Sequence, residues 1–227
     1  MQGCCLLKAI ALDFDGVILE SVDLKTRAFR ALFKEYPQHL DRVVQFHLDN
    51  TGLSRYEKFE VIYREFFGLP LSGDEKDRLG YEFGRLVERE ILECPFVPGA
   101  PRFLDLVVPS YPLFVISGTP ESELHRIIDA RGLEAYFRGV YGSPRSKAEI
   151  LSSILAQSGW RSDELLFIGD STLDYNAARQ VGAIFIARVP TSASSPFPSQ
   201  DVKIVGDLAA LAEGWAGILE DMATIRS

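Results

Sequence analysis

Cysteine and histidine are both scarce in this chain. The three cysteines, Cys4, Cys5 and Cys94, are odd in number and two are adjacent. That is a poor disulfide framework and suits a reducing, cytoplasmic setting. The three histidines, His39, His47 and His125, are scattered without metal-ligand spacing, which argues against a zinc site. No long apolar run is present. The stretch from Cys4 to Leu12 is broken by Lys8 and stopped by Asp13. It is too short to span a membrane and lacks the basic region and cleavage site of a secretory signal, so no membrane partner is expected. There is no basic block either. Lys and Arg total 24 against 32 Asp and Glu, a net charge of −8, which points away from nucleic acid. An acidic protein that binds an anion must do so with a local cation, backbone donors or a metal.

What is present suits a folded α/β protein. The 227 residues, 47% apolar and 25% charged, are enough for one large domain, or for one domain carrying a smaller insertion. Short apolar runs bounded by turn residues recur at Leu6–Phe14, Leu113–Ile116, Val140–Gly142, Leu165–Ile168, Ala183–Ala187 and Val202–Val205. Such runs suit strands buried on both faces. Helical patterns alternate with them at Ala100–Val107, Glu121–Ala130, Ser146–Gln157, Leu173–Val181 and Leu208–Leu219. The alternation predicts a doubly wound, Rossmann-like parallel sheet with helices on both faces. Pro190–Gln200, rich in Ser and Pro, reads as a surface loop. Residues 21–94 break the rhythm. Their apolar positions (Phe29, Leu32 and Phe33, then Phe59, Ile62, Tyr63 and Phe66) recur at helical spacing. They read as a helical cap inserted after the first strand, with residues 1–20 and 95–227 forming the α/β core. Nothing in the pattern sets an oligomeric state.

The first strand ends in Ala11-Leu12-Asp13-Phe14-Asp15-Gly16-Val17-Ile18. Acids are depleted in strands, and a buried unpaired carboxylate is costly, so something must offset these two. In a doubly wound sheet, ligands bind at the carboxyl ends of the strands. Two acids there can divide nucleophilic and acid–base work, and Gly16 allows a sharp turn and close approach of a ligand. The bland alternative is an Asp-Gly turn. Leu165–Asp174 repeats the design, with Gly169-Asp170 after a strand and Asp174 four residues on. Asp170 can reach a metal shared with Asp13, while Asp174 could be a plain helix-start acid. A third strand ends in Ser117-Gly118-Thr119-Pro120, which reads as an anion cradle of hydroxyl and backbone amides, or as an N-cap. In the loop Gly142–Lys147, Lys147 can bring one charge to a phosphate and to a carboxylate, although an isolated lysine there is usually solvated.

In this order, Asp13-Phe14-Asp15-Gly16-Val17, Ser117-Gly118-Thr119, Lys147 and Gly169-Asp170-Ser171 with Asp174 resemble the haloacid dehalogenase-like hydrolase superfamily. The branch is that of phosphoglycolate phosphatases and β-phosphoglucomutases with a helical cap. The resemblance implies a Mg²⁺-dependent phosphatase acting on a small phosphorylated metabolite, a sugar phosphate or phosphoglycolate-like acid. Asp13 would form an aspartyl-phosphate, and Asp15 would act as acid and base. Asp13, Asp15, Asp170 and Asp174 would serve the Mg²⁺, an ion that favours oxygen ligands. Gly16, Ser117, Gly118 and Lys147 would hold the phosphoryl oxygens.

A phosphomutase or a phosphonate hydrolase is the alternative the resemblance leaves. The mutase branch carries a histidine where this chain has Lys25, and the phosphonatase branch uses a cap lysine, for which Lys25 and Lys58 are candidates. Phosphoglycolate phosphatase-like members usually have Asp where this chain has Glu20. In the cap, Arg55 and Lys58 are three apart on one helix face. They read either as contacts to an anionic or polyhydroxyl substrate or as a solvated face paired with Glu57 and Glu60.

Overall fold

The computed structural model describes residues 7–198 and 202–224. Cys4 and Cys5, Leu6 at the head of the first expected strand, and Ser199 and Gln200 at the end of the expected loop lie outside them. Six strands form one parallel sheet: β1 (Ala9–Leu12), β2 (Leu113–Pro120), β3 (Phe137–Ser143), β4 (Leu165–Gly169), β5 (Ile184–Arg188) and β6 (Lys203–Val205). Their order is β3-β2-β1-β4-β5-β6. The direction of winding reverses at β1, so a crevice opens at the carboxyl ends of β1, β2 and β4, where the sequence places Asp13, Ser117 and Asp170. The register aligns these ends, with Leu12 opposite both Val115 and Ile168.

Alternation along the strands sorts the core into two faces. Ile10 and Leu12 face α5 (Ala100–Val107) and α9 (Leu208–Thr224), joining Phe103, Leu104, Leu208, Leu211 and Trp215 in one cluster. Ala9 and Ala11 face the other way. They pack with Ile150, Leu151 and Ile154 of α7 (Lys147–Ser158) and with Ala177 and Ala178 of α8 (Thr172–Val181). α6 (Glu121–Ala130) adds Leu124, Ile127 and Ile128 to the first cluster. Every expected strand and core helix is present within a few residues, because fully buried strands and helices that bury one stripe leave distinct periodicities. The expected surface loop is less simple. Phe197 is buried with Ala187, Val189 and Val202 in a small third cluster.

Residues between β1 and β2 form α1 (Val22–Leu32), α2 (Leu40–Asp49), α3 (Arg55–Val61), which runs on into a π-helical turn at Ile62–Phe67, and α4 (Gly73–Glu93). Phe29, Phe33, Phe59 and Phe83 meet at their centre, with Phe29 5.0 Å from Phe83 and Phe33 6.0 Å from Phe59 between ring centroids. Ser54 and Glu57 form a reciprocal capping box that starts α3. Two connections lead to these helices, and they run side by side. Glu20 N donates to Pro95 O, Val97 N donates to Ile18 O, and Leu19 bridges Phe96. Arg188, at the end of β5, ties the first connection down. It donates to the carbonyls of Gly16 and Gly206 and pairs with Glu20, one Nη at 2.5 Å from a carboxylate oxygen. No helix among the described residues is long and apolar enough to cross a membrane.

Gly99, just after the second connection, has φ +79°, and a Cβ there would lie 2.2 Å from the backbone nitrogen of Ala209. Gly99→Ala is expected to cost about 2–4 kcal/mol in urea unfolding, from left-handed backbone and overpacking together. Gly68→Ala, with φ +63° but open space around it, should cost only about 1 kcal/mol. Equal losses would show that contact with Ala209 is not what requires glycine at position 99.

Candidate active site

Asp13 follows β1 directly, with its backbone N–H donating to Ile168 O across the β1–β4 seam. Its Oδ1 accepts the Phe14 amide at 2.7 Å, and its Oδ2 lies 2.9 Å from Lys147 Nζ. Lys147 is the first residue of α7, fixed there by the Ser146–Glu149 capping box. The same Nζ donates to Asp174 Oδ1. Asp174 Oδ2 accepts from the Ser171 amide at 3.0 Å and from the Ser171 hydroxyl at 2.6 Å. Asp174 is thus both a helix-start acid and an ion-pair partner, and its two oxygens are committed to Lys147 and Ser171. Lys147 is not the solvated lysine that its loop position would suggest but is buried between two acids. Burial opposes its charge, yet Asp13 and Asp174 outweigh that and raise its pKa.

Asp170 lies beside this cluster. Its Oδ2 would be 2.2 Å from a Cβ on Gly16, so Gly16, at φ +76°, must be glycine for both backbone and space. Its Oδ1 is buried and has no hydrogen-bond partner. Asp13, Asp170 and Asp174 each present an oxygen within 4.8 Å of the others. Burial raises the pKa of Asp170 well above the usual value, and Asp13 and Asp174 push it further. Burial likewise raises Asp13 to about 7. Lys147 opposes this, and Asp174 and Asp15 add to it. An orphaned carboxylate oxygen amid like charges, in an all-oxygen donor set, fits a divalent cation.

Asp15 has different company. Oδ2 takes Lys25 Nζ at 2.5 Å, Thr119 Oγ1 at 3.1 Å and Ser117 Oγ at 3.3 Å, while Oδ1 takes the Ser21 hydroxyl at 2.6 Å. Burial would raise its pKa, but Lys25 and the hydroxyl donors overcome that and lower it. Lys25 comes from α1 and also donates to Thr119 Oγ1 at 2.8 Å, so it links the inserted helices to the end of β2. The Ser117 hydroxyl in turn accepts the Thr119 amide. At Gly118 a Cβ would lie 2.9 Å from Gly52 O, so the lack of a side chain makes room for the loop before α3. In the sequence, Lys25 stands where the mutase branch has histidine and is a candidate cap lysine of the phosphonatase kind, and Thr119 reads as a possible cap residue; neither reading brings them to Asp15. A bond between α1 and β2, 94 residues apart in the chain, leaves no local signal.

Arg55 and Lys58 are not a solvated face. Both are buried, and neither pairs with Glu57 or Glu60. Glu57 caps its own helix, and Glu60 pairs with Lys76. Both Nη atoms of Arg55 go to the Glu123 carboxylate on α6. Lys58 Nζ contacts His47 Nδ1 at 2.9 Å and His47 O at 3.4 Å.

A family model of haloacid dehalogenase-like hydrolases matches residues 10–188, which include every acid described above. The chain belongs to this family. Of curated relatives, a phosphoglycolate phosphatase of Synechococcus elongatus is 27% identical over 188 residues, covering 80% of this chain and 83% of that one. Among solved structures, a hydrolase from Pseudomonas syringae superposes with a TM-score of 0.75 at 17% identity, covering 93% of this chain and 99% of the other. CbbY from Rhodobacter sphaeroides, solved with phosphate, gives 0.72 at 16% identity over 90% and 96% of the two chains. At these identities the structural likeness speaks for the fold. The hydrolase fold therefore brings Asp13, Lys147, Asp170 and Asp174 into one cluster, with Asp15, Ser117 and Lys25 beside it.

The raised carboxylates give the site a pH signature. Without a cation, the folded hydrolase holds a proton on Asp13 up to about pH 7, whereas the unfolded chain releases it near the ordinary value of 3.8. Stability from this group is therefore full below about pH 4 and falls as pH rises towards 7. A divalent cation should raise Tm clearly at pH 8 and little at pH 5, and Asp170→Asn should weaken the shift at pH 8. Thermal unfolding with and without cation checks this, and equal shifts at both pH values would count against the carboxylate cluster as the binding site.

Proposed function

We propose that this hydrolase is a Mg²⁺-dependent phosphatase for a small phosphorylated metabolite. The reading is carried by one observation: a buried lysine and an orphaned carboxylate oxygen both converge on Asp13 at the carboxyl edge of the sheet. Asp13 and Asp170, with the Asp15 carbonyl, would hold the Mg²⁺, and Asp174 would orient Lys147 or supply a further oxygen. When bound, the ion would neutralise phosphoryl charge and favour the ionised form of Asp13.

The remaining chemistry belongs to the chain. Asp13 bonds to phosphorus as the ester P–O bond breaks, while Asp15 gives a proton to the departing alkoxide. Asp15 then takes a proton from water, which attacks phosphorus and releases Asp13 and inorganic phosphate. Lys147, Ser117 and the amides beside Gly16 and Gly118 receive the phosphoryl oxygens, with Lys147 drawing charge away from both Asp13 and phosphate. The Lys25 ion pair holds Asp15 in its ionised form, which suits the second half of this cycle. An incoming phosphate dianion is a like charge beside Asp15 and a competitor for Lys25. Both effects raise the proton affinity of Asp15 for the first half.

The helices of residues 21–94 would act as a cap that excludes water during transfer, hinged on the paired connections at Gly16–Glu20 and Pro95–Gly99. Support for phosphate ester as substrate comes from the phosphoglycolate phosphatase relative and from the phosphate in the CbbY structure. The test is a phosphate-release screen over small phosphate esters with Mg²⁺. At least one ester should be turned over, and Asp13→Asn should reduce kcat by about 10³-fold or more. Turnover that survives Asp13→Asn would reject Asp13 as nucleophile.

A further inference from the structure

Arg188, the last residue of β5, is a buried cation that serves none of the four acids at the sheet edge. It is 5% exposed, and its carboxylate partner is Glu20. Nε donates to Gly206 O at 3.1 Å and Nη1 to Gly16 O at 3.1 Å, while both Nη atoms reach Glu20. One planar fork thus holds Gly16, Glu20 and Gly206 together, which the single ammonium of a lysine has no geometry to do.

Gly16 is where that fork meets the candidate cation site. The turn after β1 closes on itself, with Ile18 N and Leu19 N donating to Phe14 O and Gly16 N donating to Leu19 O. These bonds leave the Gly16 carbonyl unused, and Arg188 takes it. On its other side the Gly16 backbone lies against Asp170. A Cβ there would be 2.2 Å from Asp170 Oδ2 and 2.9 Å from its Cγ. Asp170 therefore has Gly16 as a wall, and its orphaned Oδ1 has no hydrogen bond that would fix the carboxylate in another way. The Asp15 carbonyl, one peptide earlier, turns with the same backbone. Gly16 stands at φ +76°, and glycine is the residue least able to hold its own dihedrals. Its conformation has to be imposed by a neighbour.

We propose that Arg188 is a positioning residue for the cation site. It pins the Gly16 peptide, and through it the Asp170 carboxylate and the Asp15 carbonyl, while Glu20 orients the guanidinium. This rests on the cation site of the reading above. Charge and position make opposite predictions for such a residue. Arg188→Met removes a positive charge and leaves the negative charge of Glu20 unopposed. Through space, both changes favour a nearby divalent cation, so binding should tighten. Loss of positioning weakens it. A second ion sharpens the contrast. Mg²⁺ requires near-ideal octahedral geometry, whereas Ca²⁺ tolerates irregular sets. Loosened ligands therefore penalise Mg²⁺ more, and a change of charge alone acts on the two divalent ions alike.

Calorimetry at pH 8 on metal-free protein, titrated with MgCl₂ and separately with CaCl₂, reads both quantities. Arg188→Met should bind Mg²⁺ about tenfold more weakly than the wild type, the lower end of the range for groups that orient metal ligands. The ratio of Mg²⁺ to Ca²⁺ affinity should fall about fivefold. Glu20 is partly exposed, and Glu20→Gln leaves the bonds of Arg188 to both carbonyls in place. Its ratio should fall about twofold to threefold, and this variant carries the test if Arg188→Met does not fold. Mg²⁺ binding by Arg188→Met as tight as in the wild type, or tighter, overturns the proposal. So does an unchanged ratio in the folded variants, because a residue needed only for folding would lower Tm and leave the ratio alone. Wild-type protein that binds neither ion, or Asp170→Asn that binds both as before, rejects the cation site itself and the positioning role with it. Wild-type binding at the cluster with unaltered variants rejects the positioning role alone.

Discussion

Mutual repulsion among carboxylates crowded at one edge of a parallel sheet is the constraint on which this structure depends. Asp13, Asp15 and Asp170 follow the ends of two neighbouring strands and Asp174 lies in the first turn of α8, and they meet because β1 and β4 pair in register. Three of the four are compensated by lysines. Lys147 bridges Asp13 and Asp174, and Lys25 with three hydroxyls holds Asp15. Asp170 keeps an oxygen without a partner. Two lysines are thus set against four acids, and the imbalance is local to the position where a cation fits. Burial, reinforced by this imbalance, gives Asp13 and Asp170 their raised proton affinities, so folding stability and protonation are coupled through one patch of charge.

The inserted helices take part in that balance. Lys25 reaches Asp15 and Thr119, and Arg55 reaches Glu123, so two ion pairs cross from the helices to the sheet edge. The Phe29–Phe33–Phe59–Phe83 rings form an aromatic centre within the insertion, and this centre is continuous with the core cluster that holds Leu12 and Phe103. Of the insertion's two connections to the core, the first is strapped by Arg188 through Gly16 and Glu20.

Much of this was legible beforehand, and the boundary of what was legible has a physical meaning. The strands and core helices could be read because the periodicities of burial differ between them. Asp13, Asp15 and Asp170 stood out because acids beside glycines at strand ends run against local propensity, whereas Lys147 alone reads as a solvated lysine and stood out only in their company. The environments of Arg55 and Lys58 could not be read. A charged pair three residues apart on a helix looks the same whether it faces solvent or a buried cavity. Glu123 and His47, which decide the matter, are 68 and 11 residues away. The Glu20–Arg188 pair, 168 residues apart, was likewise invisible.

The sequence by itself determined the α/β class and which acids stand at the sheet edge. Those properties follow from composition and from patterns only a few residues long, which local physics writes directly into the chain. Only the tertiary structure decided which cation meets which anion. It gave Asp15 to Lys25 and Arg55 to Glu123, and it left Lys58 buried without an acid. Charge pairing depends on distance through space and on burial, and neither is a local property of the chain.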